Sequence, residues 1–186
     1  MNEPTTLSLP LRPGVWQIDP LHSSVTFAIR HLGISKVRGR FANFDVSLVV
    51  GDDLDSTELA ATIDVASIDT GIRDRDNHVL AADMVDVTKR PTLVFRSNRI
   101  ESAGGDGYTV HGEVTVGEVT RPLVLAVEHT GFEVSPADGR RRAGFEASTT
   151  VSRKDLGVEV SLPPGMSGLL GDKVSVEIDI QALEPN

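Results

Sequence analysis

Trp16-Gln17-Ile18-Asp19-Pro20-Leu21-His22-Ser23-Ser24-Val25-Thr26-Phe27-Ala28-Ile29-Arg30-His31 is the stretch that decides the fold. Side chains along a strand alternate with period two. After Pro20, Val25, Phe27, Ile29 and His31 therefore share one face, and Ser24, Thr26, Ala28 and Arg30 take the other. An apolar face ending in a histidine suits a barrel wall around apolar content, with a polar group near the rim. The pattern recurs along most of the chain, which favours a ligand-holding shell over a catalyst.

Working outward, the spacing predicts a short strand over 15–19 and a second over 23–32. A long third strand, over 36–50, bends near Gly39 and Phe41-Ala42-Asn43-Phe44, since glycine inside a strand marks a bulge or bend. Leu59, Ala61, Ile63 and Val65 alternate with Ala60, Thr62 and Asp64 and form another half-buried strand. Asp74 to Met84 breaks the rhythm and reads as one or two helical turns, with early aspartates favourable to the helix dipole. Strands resume over 92–100, 108–116, 121–134, 141–152 and 173–183. Asp106-Gly107 and Asp138-Gly139 are hairpin signals. Residues 152–171, with Pro163-Pro164-Gly165, read as a long loop with room for a short helix. The expected fold is all-β: an extended eight-stranded antiparallel barrel with a short helical insertion, whose closure removes exposed edges. Residues 1–13, with three prolines and no periodicity, read as a disordered leader; 14–186 form one domain.

The net charge of −9 over 186 residues opposes phosphate backbones, so no nucleic-acid partner is expected. It also opposes an anionic membrane surface, except through a local basic patch. No run approaches the roughly 18 apolar residues of a membrane span. Residues 1–13 lack the charged and apolar regions of a signal peptide, so the expected location is cytoplasmic. A homodimer is compatible with this composition. The chain has no cysteine, which removes disulfides, thiolate metal sites and a cysteine nucleophile.

No catalytic or metal-binding constellation stands out. His22, His31, His78, His111 and His129 lack metal-ligand spacing. His31 reads as a wall residue or a ligand-head contact, and His22 as a pin for its turn. Asp53-Leu54-Asp55 starts like a calcium loop but has Glu58 where the glycine belongs. Gly104-Gly105-Asp106-Gly107 precedes a strand, so it is a hairpin and not a phosphate cradle. Gly165-Met166-Ser167-Gly168 has its second glycine one place too early for a nucleophile elbow. Asp74, Asp76 and His78 are explained as well by a helix start as by acid–base work. What remains is an apolar shell. Phe27, Ile29, Phe41 and Phe44 come from its first half. Leu80 and Met84 come from the insertion. Phe95, Val110, Val114, Leu125 and Phe145 come from the later strands. An ordinary dry core is the alternative reading of the same residues.

The order of motifs carries more. Trp16-x-Ile18-Asp19-Pro20-x-His22-Ser23, His31-x-Gly33, Gly39-x-Phe41, Ser67-Ile68-Asp69-Thr70-Gly71, Arg75-Asp76-x-His78, Asp86-Val87, Pro91 with Phe95, and Thr120-Arg121-Pro122 follow one another. Together they resemble the YceI-like family of polyisoprenoid-binding, lipocalin-like barrels over residues 14–184. The resemblance implies a lumen holding an isoprenoid or other amphiphilic small molecule, as in quinones or their precursors, with no cofactor. Departures stand at Met84 and Val85, where the family carries aromatics, at Arg90 for a tyrosine, and at Val116-Gly117 for His-Gly. They are expected to reshape part of the lumen.

On this reading His31, with Arg38 or Arg96, touches the head group, and Leu80 and Met84 form a lid. Branched aliphatic residues and an aromatic content of only 4% suit a flexible tail better than a stacked ring. Rival readings are a lumen doing acid–base chemistry through His22, His31 or Asp76, a haem or metal enzyme, and a solid structural barrel.

Overall fold

The computed structural model describes residues 10–160 and 168–186. Pro163-Pro164-Gly165, most of the Gly165-Met166-Ser167-Gly168 step and residues 1–9 of the expected leader lie outside them. The strands are β1 (Gly14–Ile18), β2 (Ser24–His31), β3 (Ser35–Phe41), β4 (Phe44–Val50), β5 (Glu58–Asp64), β6 (Ile68–Asp69), β7 (Thr92–Gly104), β8 (Gly107–Val116), β9 (Val119–Val134), β10 (Arg141–Ser152) and β11 (Leu170–Leu183), with one helix, α1 (Arg73–Leu80). The sheet runs β1-β4-β5-β7-β8-β9-β10-β11-β2-β3-β6, and β1 also pairs with β11, which closes it. β1 with β2, and β3 with β4, each follow one bent path, and the two-residue β6 only edges β3, so the wall is an eight-stranded antiparallel barrel.

The bends have local causes. At the first corner Asp19 accepts from Leu21 N–H at 3.0 Å and pairs with His22 Nδ1 at 3.0 Å, while its own N–H donates to Gln181 O. The His22 hydrogen bond is the main influence holding the Asp19 carboxyl below its ordinary pKa. His22 thus pins the turn. At the second corner Ala42 N–H donates to Ser67 O, and Asn43 N–H to Ser67 Oγ. The expected long third strand is therefore split at Ala42-Asn43.

The helix ends earlier than the pattern implied. It stops at Leu80 because the chain turns back, with Val85 N–H donating to Val79 O and Asp86 N–H to Ala81 O. Met84 lies beyond it. The β7–β8 hairpin turns on Gly105-Asp106 and not on Asp106-Gly107, since Gly105 supplies a φ of +56°.

One end of the barrel is packed around Trp16, with Leu11, Leu48, Val50, Ala143 and Ala182. The Trp16 indole N–H donates to Arg12 O at 2.9 Å. Leu11 is 6% exposed, so the packed body begins before Gly14, earlier than the expected leader boundary. Toward the other end, Leu156 buries against Val114 and Val116. Between them Phe95, Ile100, Tyr108, Val110 and Leu125 cluster. Gly112 lets the Phe95 ring lie flat on the wall: a Cβ there would sit 2.6 Å from its Cζ.

Candidate ligand-binding tunnel

Inner-face side chains of a closed eight-stranded sheet either meet across the axis or leave room for one small ligand. Here the wall carries short or branched residues at mid-length: Val46, Ala61, Ala147, Thr149, Val176 and Ile178. All but one (Thr149) are apolar, and all are only half-buried although they point inward. They bound a cavity of about 170 Å³. Its surface is wholly apolar. A cavity of about 150 Å³ lined by aliphatic and aromatic groups stays dry and takes apolar guests, and this lining has the same apolar character.

The cavity is elongated. Leu11, Ile18, Leu48 and Ile180 line it near the Trp16 end, and Phe41, Leu93, Val151 and Val176 line it toward the other. Of the residues expected at the site, Phe41, Phe95, Val110, Val114, Leu125 and Phe145 line it. The rest do not. Phe27 shares the inner face but leans on Phe41, ring centroids 5.4 Å apart, in the space Gly39 leaves by lacking a side chain. Ile29 and His31 follow on the same strand beyond the last wall residue of β2, Val25. Phe44 shares the inward register of Val46 and pairs with Ile63, yet it does not line the cavity. Leu80 and Met84 are half-buried in the insertion, away from the cavity wall.

The arginines proposed for the head group face outward. Arg38 alternates with inward Val37, and Arg96 with buried Phe95; both are exposed. Period-two alternation forbids either from reaching the lumen. Arg90, a departure from the family pattern, is not a wall residue. Its guanidinium donates to Val85 O and Gly157 O and ties the insertion to the segment after β10.

The rival acid–base residues are occupied separately. Asp76 accepts from both the N–H and the hydroxyl of Thr70. His22, its side chain 60% exposed, is engaged by Asp19. Among the described residues, no three His, Cys, Asp or Glu side chains converge as a metal-holding group, and no helix is long and apolar enough to cross a membrane.

Sequence reasoning passed over His129. It follows Leu125 and Val127 on the inner face of β9 and is 7% exposed. Its ring packs on Phe132 at 4.5 Å and Phe145 at 5.4 Å, and Nε2 has no hydrogen-bond partner. Burial pushes its pKa below the ordinary 6.5, partly opposed by Asp106. The folded state thus resists protonation that the unfolded chain accepts. Its contribution to stability is full above 6.5 and declines as pH falls below it. His129→Leu should remove this loss. Melting curves of the two proteins should run in parallel above pH 7 and separate toward pH 5, the wild type falling faster. A constant offset across that range would show that His129 is not held neutral.

A profile of the YceI-like domain matches residues 16–182. A UPF0312 protein of Pseudomonas aeruginosa is 36% identical over 144 residues, covering 77% of this chain and 74% of the relative. Among solved structures, BcnA of Burkholderia cenocepacia superposes with a TM-score of 0.78 at 20% identity, covering 89% of this chain and 99% of BcnA. A polyisoprenoid binding domain from Saccharophagus degradans superposes with a TM-score of 0.64 at 14% identity, covering 94% of this chain and all of that one (100%). With the domain profile spanning residues 16–182 and a relative 36% identical over 144 residues, the chain belongs to the YceI-like family.

Proposed function

We propose that this protein binds the long apolar tail of an amphiphilic lipid, an isoprenoid or a similar chain, in the tunnel and carries it without transforming it. The observation that supports this most is the inner face at mid-length, which is almost wholly apolar and only half-buried. A barrel of this size with a solid core would have buried those side chains against one another. Moving them out of contact forfeits packing, which a bound tail restores. Each buried methylene is worth about 0.8 kcal/mol against water. A tail drawn from a bilayer is already dry, so packing along the wall and contacts at the head decide affinity there. The Saccharophagus degradans domain, whose fold this chain shares, bears the name of a polyisoprenoid binder. No acid or base lines the cavity, which favours holding over chemistry.

Organic extraction of the purified protein, followed by mass spectrometry, tests the reading. Near-stoichiometric recovery of a long-chain lipid is expected, or uptake of an added polyprenyl quinone by emptied protein. Finding neither retention nor uptake would refute it.

A further inference from the structure

We propose that the β2–β3 hairpin docks this protein on an anionic lipid bilayer. The hairpin runs past the tunnel. Its last wall residues are Val25 and Phe41, and the strands continue from there to the turn at Leu32-Gly33-Ile34. From Val25 to His31 that is roughly 20 Å of strand.

The extension is two-sided. Inward lie Phe27, Ile29 and Val37; outward lie Arg30, Lys36 and Arg38, all three exposed. None of these three cations takes part in an ion pair among the described residues, whereas Arg40, further from the tip, is paired with Asp69 at 2.9 Å. Residues 20–44 carry four of the chain's 18 Lys and Arg and none of its 27 Asp and Glu. In a protein of net charge −9, positive potential is thereby gathered at one projecting element. Glu177 faces the same groove but sits opposite Thr26, toward the base of the hairpin.

The tip is apolar where a turn is ordinarily polar. Leu32 is 54% exposed and Ile34 81% exposed. Leu32 also holds a φ of +52°, a region where glycine or asparagine is the cheaper choice. Among the described residues neither side chain belongs to a core cluster, so both stand open to an apolar partner surface. An apolar tip set among cations matches a bilayer, which offers an apolar interior behind an anionic surface. The proposal draws its purpose from the lipid-carrier reading, since a carrier must exchange its cargo with a membrane. Its test is independent of that reading.

The test is co-sedimentation of the intact protein with phosphatidylcholine vesicles, with and without 30% phosphatidylglycerol. Binding is expected only to the anionic vesicles and should weaken as salt is raised. Each basic side chain near such a surface is worth about fivefold in affinity. The triple variant Arg30→Gln, Lys36→Gln, Arg38→Gln should therefore bind roughly a hundredfold more weakly, with an unchanged melting temperature. Ile34→Asp should lose binding at low salt as well. Equal partition onto neutral and anionic vesicles, or a triple variant that binds like the wild type, would overturn the proposal. Lipid extracted from the triple variant should match the wild type. Vesicle binding by a protein that yields no lipid would retain the docking surface and remove the carrier.

Discussion

Ala147→Trp is expected to empty the tunnel while leaving the barrel folded. Ala147 stands in the middle of β10, between Val127 on β9 and Ile178 on β11, and all three line the cavity. Its methyl group is only half-buried, so space lies in front of it. An indole placed there divides the lumen. A tail that loses one five-carbon unit of contact forfeits about 4 kcal/mol against water, roughly a thousandfold in affinity. Overpacking a filled core costs about 1–3 kcal/mol. Filling a hollow one adds apolar burial instead, so the melting temperature should hold or rise. Lipid content per mole and the affinity of a fluorescent long-chain probe are the readouts. Full occupancy in the variant would mean that the tail does not lie along this axis.

Trp16→Ala should cause the largest loss of stability. Trp16 is 1% exposed at the centre of the packed end, and its indole N–H satisfies Arg12 O. It lies on β1, the short strand that joins β4 to β11 and closes the sheet. Truncating a buried tryptophan typically costs about 3–5 kcal/mol. For a domain of this size, that lowers the melting temperature by about 10 °C or more. Urea unfolding measures the loss directly. Trp16→Phe keeps most of the apolar volume and should recover most of the stability. A loss below about 1 kcal/mol in the alanine variant would show that closure at β1 does not hold the barrel together.

The strands were legible because inward and outward residues differ in polarity. Val25-Thr26-Phe27-Ala28 and Leu59-Ala60-Ala61-Thr62 carry that signal in a few residues. The six expected residues that line the cavity, Phe41, Phe95, Val110, Val114, Leu125 and Phe145, are apolar residues on the strands. Ala61, Ala147 and Ile178 line the same cavity but were not singled out, since alternation marks a face and not the distance across the axis. Ala61 and Ala147 leave room in front of them that a larger side chain would fill. His129 was overlooked because its burial depends on Phe145, which reaches it from the neighbouring strand. Arg38 and Arg96 were chosen for charge, against an alternation that already turned them outward.

The linear order of residues determined the all-β class, the face each side chain takes and the family, because strand periodicity and motif order are local properties read along one dimension. Only the tertiary structure decided that the inner faces stand apart instead of meeting, that Leu80 and Met84 lie off the tunnel, and that Leu32 and Ile34 are exposed beside cations with no ion-pair partner among the described residues. Those facts depend on distances between residues far apart in the chain. They are set by how strands pair and curve around a common axis.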